Sequence, residues 1–230
     1  MKNTRIFSEE ELKEIGKLTK DVAIEAINSG NKEKAVEMVN RMYKEAQNTL
    51  DSYTDWVTEF MDYIYVHSGV DALEDALRKR FDRTEGKRID TYLKKDIRGR
   101  VEAHVASCRC LLQNVIVTED DEKICIQMNP CGTGQRLMER HAYEPPRNLS
   151  KIEACGITFG KNDFPIYCTH GAIAEIIQIE KLGKPLFVHD LPDEFGKQPC
   201  KFCFYKNDED IPEKFYQRVG KEKPSGRAKK

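Results

Sequence analysis

Cys168 and His170 stand two residues apart in Tyr167-Cys168-Thr169-His170-Gly171, and further on comes Pro199-Cys200-Lys201-Phe202-Cys203. Upstream, Asn129-Pro130-Cys131-Gly132-Thr133-Gly134 supplies another thiol. Thiolate and imidazole are the ligands that borderline-soft cations prefer, and three thiolates with one imidazole make a closed tetrahedral zinc site. The expected ligand set is Cys131, Cys168, His170 and Cys200. Cys131 leaves a strand into a Gly-x-Gly turn, where the backbone can bend closely around an ion. Cys168 and His170 lie at a helix entrance, where the positive end of the dipole favours thiolate. On a regular strand Cys200 and Cys203 face opposite sides, so Cys200 is preferred and Cys203 is held in reserve. An iron or iron–sulfur centre, a thiol-redox role and plain buried thiols are the competing readings.

A second pair, His104 and Cys108, shares one helical face by its i, i+4 spacing, with His104 the candidate for proton transfer. Cys125 falls mid-strand, where a packed thiol is expected. The Gly-x-Gly turn does not read as a phosphate loop, because Pro130-Cys131-Gly132-Thr133-Gly134-Gln135-Arg136 lacks both the lysine–serine pair and a third glycine.

The elements that must position these groups follow from periodicity. Ser8 and Glu11 form a capping box for a first helix that carries Leu12, Ile15, Leu18, Val22 and Ile27 as far as Ser29-Gly30-Asn31. Asn31 opens one long helix through position 65, or two nearly collinear ones divided at Asp51-Ser52, ended by His67-Ser68-Gly69. A short helix spans 70–81, the charged stretch 82–88 reads as loop, and a further helix runs from Ile89 to Leu112. The period then changes from helical to alternating. Val115–Thr118 and Lys123–Met128 flank an acidic turn as a β-hairpin. Segment 142–164 has no strong period and is expected to wrap the sheet. A helix from Thr169 to Leu182 ends at Gly183, and strands follow at 186–189 and 200–205.

The expected fold is α+β, with a helical N-terminal half and a C-terminal, mainly antiparallel four-stranded sheet with a packed helix. The regions are 1–112 (helical), 113–210 (the Cys/His region) and 211–230 (a basic, frayed tail). Of 230 residues, 33% are charged and 39% hydrophobic, and the net charge is −1. That balance gives no electrostatic case for nucleic acid or an acidic membrane surface. Neither an apolar N-terminal stretch nor a membrane-length apolar run is present, so a cytoplasmic protein is expected. In that compartment its eight cysteines would be reduced rather than form a disulfide framework. A homodimer through the N-terminal helices is the expected assembly.

Through Glu119-Asp120-Asp121-Glu122-Lys123, the Pro130-Cys131-Gly132-Thr133-Gly134 turn and Tyr167-Cys168-Thr169-His170, the chain resembles a group of bacterial Cys/His-motif proteins. More distantly, it is similar to the L-2-amino-thiazoline-4-carboxylic acid hydrolase-like and four-vinyl-reductase-like proteins. The resemblance implies the α+β fold and a metal site at Cys131, Cys168, His170 and Cys200. Gly171 departs from the group, which tends to have a second cysteine there; Thr133 and Gln135 replace serine and glycine in the turn. The function expected is that of a zinc-binding enzyme acting on a small organic molecule, a hydrolase or lyase. The alternative is a small-molecule-binding or sensor module pinned by a structural metal.

Overall fold

The computed structural model describes residues 6–224. The chain divides into two compact units, Met1–Ser52 and Tyr53–Lys230, a division earlier in the chain than the 112/113 boundary read from periodicity.

In the first unit, helix α1 (Glu9–Ile15) opens on the expected capping box. Ser8 Oγ accepts from the Glu11 N–H at 3.1 Å, and Glu11 Oε2 accepts from the Ser8 N–H at 2.7 Å. The single helix expected up to Asn28 is two. Gly16 closes α1, and α2 (Thr19–Asn28) starts afresh after Leu18. Among the described residues of this unit, only Ala23, Ala26 and Met38 are buried apolar side chains. The next helix, α3 (Lys32–Leu93), starts where Asn31 Oδ1 accepts from the Lys34 N–H at 3.0 Å. Within α3 the backbone leaves helical geometry at Gly69, with φ 81°, a value that glycine alone adopts readily.

The second unit is α+β. The stretch 82–88 is helix, not loop, because part of its charge is turned inward. Glu85 is fully buried, bonded by Gln178 Nε2 at 2.8 Å and paired with Arg88 at 2.6 Å. Helix α4 (Ile97–Cys110) is capped by Asp96, whose Oδ1 accepts from the Gly99 N–H at 2.8 Å. Strands β1 (Val115–Glu119) and β2 (Lys123–Met128) make the expected hairpin, and a short helix α5 (Gly134–Glu139) follows it. A two-stranded ribbon, β3 (Lys151–Ile152) with β4 (Phe164–Pro165), lies in the segment that lacked a period. Helix α6 (Thr169–Leu182) stops at Gly183, φ 73°. Strands β5 (Val188–Asp190) and β6 (Lys201–Tyr205) complete an antiparallel sheet in the order β1-β2-β6-β5.

Alternation along the strands serves two cores. Cys125, Cys203 and Val188 face a core shared with α6, through Ala172, Ile173, Ile176 and Ile177, and with Leu73 and Leu77 of α3. On the other face, Ile126 and Phe204 pack with Ile89, Tyr92 and Val101 of α3 and α4. Covered on both sides at β2 and β6, the sheet holds its register there firmly, while β1 is mostly exposed.

That register overturns the expectation for two cysteines. Cys125 lies directly opposite Cys203, with Cα atoms 4.2 Å apart, and the two form a disulfide. Cys203 is therefore no reserve ligand and Cys125 no free packed thiol. With the bond goes the expectation that all eight cysteines are reduced; among the described residues no helix is long and apolar enough to cross a membrane. The tail is corrected in part as well. Ile211, Phe215, Tyr216 and Val219 are buried around helix α7 (Lys214–Gln217), because the basic residues there alternate with apolar ones that the core takes up. Residues 225–230 of the expected tail lie outside the described residues.

Candidate functional site

Where β2 exits, the chain turns sharply under α4. A Cβ at Gly132 would stand 2.0 Å from the Leu111 carbonyl oxygen, so only glycine fits. One residue before it, the Cys131 sulfur lies 3.9 Å from Gln113 Nε2 and 3.6 Å from Thr133 Oγ1. A Cβ at Gly134 would meet the Cys168 sulfur at 3.0 Å. The two glycines of the turn thus serve close approaches, one to backbone and one to a thiol from the entrance of α6.

Cys131, Cys168, His170 and Cys200 all line one cavity of about 180 Å³. Its remaining wall is mainly apolar and includes several aromatic rings, among them Phe81, Phe187 and Phe202. His104 and Cys108 line the same space, so the two sites read separately in the sequence are one place. Cys110 is exposed and Cys155 borders a different groove, beside Val70 and Ile152.

Electrostatically the cavity is set against charge. Burial pushes the Cys108 thiol up to about 11 and the Cys200 thiol up to about 12, and raises Cys168 well above the ordinary thiol range. A negative charge on Cys131 would add to the rise in all three. Burial lowers His170 to about 4 and His104 to about 3, with Arg88 and His189 opposing a positive charge on each. Both imidazoles are therefore neutral in ordinary buffers.

The imidazoles differ in how they are held. His104 Nδ1 lies 3.1 Å from the Tyr92 hydroxyl, and its ring sits among Phe187, Phe202 and Phe204 at 4.3–5.4 Å. His170 Nδ1 lies 2.5 Å from the Tyr167 carbonyl, with Phe81 stacked at 5.9 Å. A third imidazole, His189 on β5, was not picked out from the sequence. Its Nδ1 is 2.7 Å from Glu175 Oε1 of α6, and Arg218 Nη2 donates to both oxygens of that carboxylate at 3.0 and 2.8 Å. The signal in the sequence was Glu175 itself, an ionisable residue amid the apolar run of α6, which must be paired if buried.

In donor chemistry the thiols and imidazoles suit a thiophilic divalent cation. As the side chains lie, no group of three His, Cys, Asp or Glu among the described residues could hold a metal ion. What the cavity offers directly is a small, mainly apolar space with convergent polar groups, below the ~300–1,000 Å³ common for drug-sized ligands. No family model, curated protein or solved structure matches the chain.

Proposed function

We propose that the second unit is an enzyme acting on a small organic molecule, a hydrolase or lyase, with the aromatic cavity as its chamber. One observation carries the reading. Thiols from three separate segments, the β2 exit, the α6 entrance and the residue before β6, reach one cavity together with imidazoles whose Nδ1 atoms are held from behind. Zinc bound by Cys131, Cys168, His170 and Cys200 belongs to the proposal, and requires those side chains to draw together from where they lie. Bound there with an open position, zinc would supply a polarised ligand or water. The chain's own residues give the rest: aromatic walls exclude water, and backbone- or carboxylate-held rings fix hydrogen-bonding direction. The resemblance to the Cys/His-motif proteins bears on the fold and the metal ligands.

A sensor or binding module is the second reading. It is favoured by the small size of the cavity and by a sheet already tied by Cys125–Cys203. Elemental analysis of the purified chain, with Cys131→Ser and Cys168→Ser beside it, tests the metal. Zinc at one ion per chain, lost in both variants, is the expected result; a chain free of stoichiometric zinc or iron removes the metal from the proposal. Four protein ligands and no exchangeable position would favour the module.

A further inference from the structure

We propose that His189 is the proton acceptor of the cavity and that Arg218, acting through Glu175, is the residue that positions it. The inference rests on the cavity being where a small molecule is handled.

His189 is held at ring and backbone by one buried carboxylate. Glu175 Oε1 accepts from the His189 backbone N–H at 2.5 Å as well as facing Nδ1, and the Glu175 side chain is fully buried. Arg218 closes the arrangement, its Nη1 donating to the His189 carbonyl at 2.7 Å while Nη2 holds the carboxylate. The guanidinium itself is fixed between the Phe159 and Phe215 rings, 4.5 Å from each.

This geometry sets the tautomer. An ionised carboxylate only accepts, so the nitrogen facing it must carry the proton. Nδ1 is therefore N–H and Nε2 keeps its lone pair. The direction of Nε2 follows from the neighbouring glycine. A Cβ at Gly171 would lie 3.0 Å from Nε2, and Gly171, like His189, lines the cavity. The missing side chain at the first turn of α6 is what lets the ring come up to the cavity wall.

Charge balance completes the argument. Glu175 and Arg218 pair behind the ring, 2.8 Å from Arg218 Nη2 to Glu175 Oε2. When a bound molecule presents an O–H, N–H or S–H, the proton passes to Nε2 and the bonding electron pair stays on the donor atom. The imidazolium formed then faces the Glu175 carboxylate, which remains ionised. His104, the residue first read for this role, has no such support. Its Nδ1 meets a tyrosine hydroxyl, which can donate or accept and so fixes no tautomer. His170 is fixed, but by a carbonyl that carries no full charge to set against an imidazolium.

The test uses the full chain, stripped of metal by chelation and labelled with ¹⁵N-histidine. Long-range ¹H–¹⁵N correlation at neutral pH reads the tautomer of each ring, with His189→Gln giving the assignment. His189 is expected wholly in the Nδ1–H form, mixed in Glu175→Gln, whose amide can accept or donate at Nδ1, and carrying a second ring proton in Arg218→Met, where the carboxylate loses its other cation, with Arg218→Lys restoring the single one. Diethyl pyrocarbonate, which acylates unprotonated imidazole nitrogen, is expected to modify His189 before His104. A neutral wild-type ring protonated at Nε2, a His189 signal unmoved in both Glu175→Gln and Arg218→Met, or earlier modification of His104 overturns the proposal. Should Arg218→Met not fold, the wild-type tautomer and the order of acylation still decide. None of these readouts uses metal or substrate, so their failure is distinct from failure of the proposed activity.

Discussion

Two glycines, Gly132 next to the cavity-lining Cys131 and Gly171 on the cavity wall, respond differently to a substitution. At Gly132 a methyl group meets backbone, the Leu111 carbonyl at 2.0 Å, together with Gln113 Cγ at 2.8 Å. The turn must move, and Gly132→Ala is expected to cost at least the ~1–3 kcal/mol of an overpacked core, read from the urea midpoint. At Gly171 the methyl meets only the His189 ring, which can shift, so Gly171→Ala is expected to cost less while displacing the ring. Glu175→Ala leaves Arg218, whose side chain is 17% exposed, without its anion, and should destabilise by about 3–5 kcal/mol on the same measurement. His104 adds a pH dependence. Its folded pKa of about 3 lies below its ordinary 6.5, so between those values the unfolded chain binds a proton that the folded one does not. Stability is thus expected to fall as pH drops from 6.5 toward 3. His104→Leu should flatten that slope in pH-dependent urea melts, whereas an unchanged slope would show that other groups govern it.

Among the elements, those with local signals were legible. Ser8 and Glu11 announce α1, the alternation of 115–128 announces the hairpin, and Gly183 marks the end of α6. Less legible was whatever depended on a partner far along the chain. Glu85 reads as loop-type charge until Gln178 reaches it, 93 residues away, and Glu175 finds Arg218 after 43. The disulfide needed the register of β2 against β6, which no spacing within either strand contains. The candidate ligands were recognisable by residue type, but the union of His104 and Cys108 with them required α4 to pack over the β2 exit. Because Cys125 and Cys203 are 78 residues apart, their bond restrains a long loop of the unfolded chain. Cys125→Ala/Cys203→Ala is expected to lose about 2–4 kcal/mol in denaturant melts, and an unchanged midpoint would contradict a stabilising role for the bond.

Across the molecule, burial is unevenly shared. The first unit buries Ala23, Ala26 and Met38, while the second encloses α6 and both faces of its sheet. Local opening should therefore be easier in the first. Hydrogen exchange on the full chain is expected to show amides of α1 and α2 exchanging well before those of α6, and equal protection would contradict this. The proposed function belongs to the second unit, at the one cavity that Cys131, Cys168 and Cys200 all line. Cobalt(II) titration of the metal-free chain tests that most directly, because sulfur-to-cobalt charge-transfer absorption grows with the number of bound thiolates. The account predicts one cobalt per chain with the intensity of three thiolates, stepping down in Cys131→Ser, Cys168→Ser and Cys200→Ser. Absence of the band, or a band unchanged in all three variants, would contradict it.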